Sequence, residues 1–151
     1  MVNKTATVVE VRDTYVVAAG EQGPPGATGP AGPSGASVAT YTAGEALGGH
    51  RVVKADAAGQ AVYATNTDLP SQHLLGVTTG AASMGAAVSV QRFGDMIEPS
   101  WSWTPNLPIF LGTNGLLTQA YPAGASLVII VGFAITPTSV MLAVREPIAI
   151  A

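Results

Sequence analysis

The chain has no cysteine. That excludes structural disulfides, thiol nucleophiles and cysteine-ligated zinc, and it leaves the redox compartment undetermined. Charge is scarce as well, at 10% of 151 residues. The six Lys and Arg are scattered singly against nine Asp and Glu, for a net charge of -3. With no basic patch to meet phosphates, nucleic acid is not an expected partner. Long apolar runs are missing too. The run from Leu127 to Val131 is interrupted by Gly132 and is too short to cross a bilayer. The opening Met1-Val2-Asn3-Lys4-Thr5 has no apolar signal core, so neither export nor membrane insertion is expected. Low charge and a mean hydropathy of +0.38 exclude a wholly disordered chain.

Glycine and proline are plentiful and unevenly placed. Gly20, Gly23, Gly26, Gly29, Gly32 and Gly35 keep strict period three. The triplets read GEQ-GPP-GAT-GPA-GPS-GAS and hold Pro24, Pro25, Pro30 and Pro33. In a collagen helix three polyproline-like chains wind together, and only Gly fits at the crowded axis. A flexible linker has no reason to keep that period. Residues 20–37 therefore predict a triple-helical stalk, and with it a homotrimer. Eighteen residues at about 3 Å each make a rod of roughly 50 Å. One GPP triplet cannot hold such a rod alone, so folded trimeric parts are expected beside it.

Residues 1–19 carry a β-prone run, with Val9 and Val11 alternating with Glu10 and Arg12, as in a half-buried strand. Val8, Val9, Val11, Tyr15 and Val17 are the candidate docking strand. Nineteen residues make no core alone, so the segment is read as an anchor or a small trimeric cap.

Residues 38–151 lack any long helical period and are rich in β-branched residues punctuated by turns. Predicted strands are Ser37–Thr42, His50–Ala55, Ala61–Thr65, His73–Thr79, Ala87–Phe93, Pro108–Leu111, Leu116–Gln119, Leu127–Ile135 and Val140–Val144. Thr113-Asn114-Gly115 reads as a hairpin turn, and Asp56 to Gly59 plays the same part earlier. Many short, evenly spaced strands argue an all-β sandwich or barrel. A faint repeat runs at an offset of 56 residues. Gly59 and Gly76 are 17 apart, as are Gly115 and Gly132. Almost no identities accompany it, so duplication and coincidence stand level.

The order of parts resembles tailed-bacteriophage fibre and head-decoration proteins. The segments that carry the resemblance are Tyr41-Thr42-Ala43-Gly44-Glu45-Ala46-Leu47 with Val52-Val53-Lys54-Ala55-Asp56, Leu74-Leu75-Gly76-Val77-Thr78, Pro108 to Gln119, and Arg145-Glu146-Pro147-Ile148. They look like a capsid-cement-like β domain. The resemblance implies a non-enzymatic trimeric virion protein, made in the host cytoplasm and docked on a capsid or tail protein through its amino terminus. The chain has no room for a long shaft and tip. A capsid-attached head fibre is therefore preferred over a short tail or baseplate fibre binding a host-surface glycan or protein. A bacterial surface protein with a jelly-roll head fits less well without an export signal.

Chemistry-bearing residues are few. His50 and His73 lie 23 apart without ligand spacing, so no metal or other cofactor is expected. His50 is read as facing solvent in a turn. Asp56, Asp68, Asp95 and Glu98 read as turn acids serving backbone donors. Arg92 is expected to pair with Asp95 or Glu98. No G-x-S-x-G elbow occurs, and Gly80 to Gly85 lacks the Lys of a phosphate loop. Trp101 and Trp103, the only tryptophans, would face one side of an extended segment. They would be an aromatic platform for a sugar or partner, or be buried under a loop or between subunits. Burial is the favoured reading.

Overall fold

A computed structural model describes residues 37–67, 74–146 and 148–149. All of them lie in one unit of the chain, Ala31–Ala151. The glycines Gly20 to Gly35 and the docking candidates Val8, Val9, Val11, Tyr15 and Val17 lie outside the described residues, as do Asp68 and His73.

The described residues are all-β, and their antiparallel strands curl into a half-barrel. The strands are β1 (Ser37–Thr42), β2 (Val52–Ala55), β3 (Ala61–Tyr63), β4 (Leu74–Thr78), β5 (Ala87–Ile97), β6 (Pro108–Leu111), β7 (Leu117–Thr118), β8 (Leu127–Val128), β9 (Ile130–Thr136), β10 (Ser139–Ala143) and β11 (Ile148–Ala149). One nine-stranded sheet runs β3-β2-β4-β5-β10-β9-β6-β7, with β1 added beside β5. β8 and β11 form a separate pair. Alternation sends Val140 and Leu142 inward from β10 and Met141 outward, as period-two side chains require. The main core gathers Val52, Val77, Ile109, Leu111, Val131 and Leu142. A smaller cluster holds Leu47, Val53, Val88 and Val90.

The sheet order is a palindrome about the β5–β10 pairing, and the structure decides the repeat in favour of duplication. Val53 pairs Gly76 and Ile109 pairs Gly132, both partners 56 residues on. Val52 with Val77 recurs as Pro108 with Phe133, and Lys54 with Leu74 as Phe110 with Ile130. Even the bulge recurs, after Val53 and after Ile109. The closing hairpin is shorter the second time: Val77 pairs Gln91, but Phe133 pairs Met141. β5 serves both halves. Its first part closes the first repeat against β1, and its last part, Phe93 to Ile97, opens the second against β10.

The repeat survives in backbone chemistry where side chains have diverged. His50 and Asn106, 56 apart, both have positive φ, 56° and 66°, a region that His and Asn tolerate better than most residues. The His50 N–H donates to the Thr78 carbonyl at 2.9 Å and the Asn106 N–H to that of Ala134 at 2.8 Å. The Gly48 N–H donates to the Tyr63 hydroxyl at 2.7 Å. Its counterpart, the Thr104 N–H, donates to Gln119 Oε1 at 2.9 Å. Two unrelated side chains thus satisfy one backbone position. Tyr63→Phe removes the partly buried acceptor and is expected to cost about 1 kcal/mol, read as a lower denaturant midpoint at unchanged slope. A midpoint that does not move would mean the hydroxyl is dispensable.

Several sequence expectations are corrected. The stretch Leu127–Ile135 is two strands in different sheets, broken at Ile129, whose carbonyl accepts from the Leu111 N–H at 3.0 Å. His50 and Arg51 precede β2, because the positive φ of His50 cannot continue a strand. β5 runs on past Phe93 to Ile97, since β10 supplies a new partner there. Thr113 to Gly115 is the expected tight connection, with Asn114 at φ 50°.

Candidate functional site

The one described segment with two tryptophans runs from the end of β5 to the start of β6 and belongs to no strand. Backbone bonds fix it: the Trp101 N–H donates to the Glu98 carbonyl at 3.1 Å and the Trp103 N–H to that of Pro137 at 2.8 Å. The two rings lie 5.6 Å apart at 57° and pack half-buried against the main core. His50 approaches from the other repeat. Its ring meets Trp101 edge-on at 5.2 Å and 72°, a favoured aromatic arrangement.

These side chains line an open cleft of about 410 Å³ with Gly49, Arg51, Glu98, Ser100, Leu116 and Leu117. His50 Nδ1 lies 3.5 Å from Glu98 Oε2. Glu98 Oε1 accepts from the Ser100 N–H at 3.0 Å. The Ser100 backbone N–H, then its side chain, and more weakly the charge of His50 hold the Glu98 carboxyl below its ordinary value. Arg51 donates through Nη1 to the Asn114 carbonyl at 3.2 Å and lies 5.9 Å from the Tyr63 ring centre. The Trp103 indole nitrogen is buried without a hydrogen-bond partner, a cost of about 1–3 kcal/mol for an unmet donor.

His50 is therefore in a turn, as expected, but its side chain does not simply face solvent: it is held against Trp101 and Glu98. Arg92 does not pair with Asp95 or Glu98. Its Nη1 donates to the Leu74 carbonyl at 2.7 Å, and Glu98 is taken by His50. Asp56 does serve its own turn, accepting from the Ala58 N–H at 2.9 Å and the Gln60 N–H at 2.8 Å. The cluster of His50, Glu98 and Arg51 escaped the sequence reading because 48 residues separate His50 from Glu98. Among the described residues no group of three His, Cys, Asp or Glu is placed to hold a metal. None of their helices is long and apolar enough to cross a membrane.

The depressed Glu98 carboxyl gives a signed pH prediction. Its stabilising contribution is complete above the unfolded value of about 4.5 and is lost as pH falls through the lower folded value. Glu98→Gln should lower the thermal midpoint slightly near neutral pH, and the difference from the parent should shrink toward zero in acid. A difference that stays constant down the acid limb would refute the assignment.

No protein-family model matches the chain, and no curated protein matches it significantly.

Proposed function

We propose that the chain is a non-enzymatic, homotrimeric structural protein: the head fibre or decoration protein of a tailed bacteriophage. Its amino-terminal segment docks on a capsid protein, and a Gly-X-Y stalk carries the β head outward. The observation that carries this reading is the run of six glycines at period three, ending at Gly35, two residues before β1 begins at Ser37. Period three has a physical use only when three chains share an axis. The all-β head is the kind of folded part that a short stalk needs beside it. Sedimentation equilibrium of the full chain tests the trimer. Three times the 15.1 kDa chain mass is expected at micromolar concentration, and a monomer would sink the reading. Reconstruction of purified virions tests the location. Three-fold spikes on the capsid are expected; density at the tail tip would move the protein to the adhesion apparatus.

The aromatic cleft favours a second reading, a short tail or baseplate fibre whose head grips a host-surface glycan. A half-buried tryptophan pair beside a carboxylate and a guanidinium can stack on a sugar ring and bond its hydroxyls. Three weak sites on one stalk would gain by avidity. A glycan array probed with the full chain is the test, and no hits would remove this reading.

A further inference from the structure

The two halves of the duplicated head act as each other's control, and they differ on one face. The convex side of the second repeat is mostly apolar, with Asp95 the one charged residue in its central row. Met141 on β10 lies opposite Asp95 on β5 and Phe133 on β9, and Phe133 lies opposite Pro108 on β6. Cross-strand partners share a face, so these residues form one transverse row. Phe93 and Ile97 flank it on β5, and Ile135 on β9. Phe93 is 44% exposed, Ile97 67%, Ile135 52% and Met141 41%. The first repeat treats the same positions differently: Pro108 and Phe133 correspond to Val52 and Val77, which are wholly buried in the main core, while Phe93, Ile135 and Met141 correspond to Ser37, Thr79 and Gln91. The first repeat buries the central pair of the row and makes its edges polar, whereas the second repeat leaves an apolar row exposed. A contiguous exposed apolar face on one repeat alone marks a surface that something covers.

The chain itself names the occupant. β1 starts two residues after the last period-three glycine, and its first residue, Ser37, pairs with Phe93 at the corner of the apolar row. Five of the six β1 residues are exposed, Val38 at 53%. The strand that leaves the Gly-X-Y run therefore lies beside the uncovered face. Three chains held on one axis up to Gly35 would bring three such faces together at high effective concentration. We propose that the convex face of β5, β9 and β10, centred on Met141 and Phe133, is the surface through which three copies of the head pack. This inference rests on the trimeric reading above and adds the face to it.

The absence of cysteine makes the test clean. Single-thiol variants of the full chain, Phe93→Cys and Ile135→Cys, place thiols at two ends of the face. Ala57→Cys places one in the exposed β2–β3 turn. Alkylation by a maleimide reads their accessibility, and sedimentation of the same samples reads the assembly. The expected result is a trimer in which the thiols at Phe93→Cys and Ile135→Cys react at least about tenfold more slowly than that at Ala57→Cys, with all three equal in denaturant. A trimer with equally reactive thiols would overturn this face and leave the trimeric reading standing. A monomer would overturn both. Met141→Glu in the full chain adds a second readout: the head should melt at lower temperature, with the loss growing on dilution, as for any interface. A loss independent of concentration would count against the face.

Discussion

Gly132→Ala is expected to cost about 3 kcal/mol or more, the upper range for a single added methyl group. Gly132 lies in β9 beside β10, and a Cβ there would collide with the Met141 carbonyl oxygen and crowd the Met141 and Leu142 backbones. Backbone cannot swing away as a flexible side chain can, so β9 and β10 would have to part. Gly76, its counterpart 56 residues earlier, meets the Gln91 carbonyl in the same way and has φ 143° besides. The comparison that isolates close approach is Gly59→Ala. Gly59 sits at φ 77° with nothing within 4 Å of a Cβ. There only the left-handed backbone resists, at about 1 kcal/mol. Denaturant midpoints should fall in the order parent, Gly59→Ala, then Gly132→Ala. Equal losses at Gly59 and Gly132 would show that backbone conformation, not interstrand crowding, explains the conserved spacing within the repeat.

On the trimeric reading proposed above, Gly26→Ala is expected to remove the thermal transition of the proposed stalk while the head remains trimeric. Gly26 is in the middle of the period-three run, and any Cβ at a triple-helix axis forces the chains apart. With only one GPP triplet beside it, the proposed rod would have little stability in reserve. Circular dichroism should show the polyproline-type signal lost or melting far earlier, with the β signal retained. Sedimentation of the same sample should still give three chains, held through the head. An unchanged melting curve would make residues 20–37 a linker and take away the main support for the trimer. A variant that falls to monomers would place the assembly in the stalk alone and count against the convex face.

The two substitutions probe different levels of one design. Gly132 governs how closely two strands of one head approach. In the proposed triple helix, Gly26 would govern how closely three chains approach. At Gly132 the neighbour that an added side chain would strike is backbone, and in the proposed triple helix the same would hold at Gly26.

The sequence by itself determined the strand-rich head, most strand positions, the turn at Asn114 and the period-three run. These are local properties: side-chain alternation, turn residues and glycine spacing act over two to five residues and can be read by position. It also held the 56-residue repeat, but only as four glycines, because close backbone approach at Gly76 and Gly132 and left-handed backbone at Gly59 and Gly115 are what the duplication preserved while side chains changed. Tertiary structure alone decided what distant segments do to one another. It set the palindromic order about β5 and β10, and it divided Leu127–Ile135 between two sheets. It brought His50 to Glu98, 48 residues on, and to Trp101, 51 residues on. It also left Phe93, Phe133, Ile135 and Met141 on an uncovered convex face. An alternating pattern says that one side of a strand is apolar. Which side the rest of the chain covers depends on pairing and curl, and those arise from contacts between residues far apart in sequence.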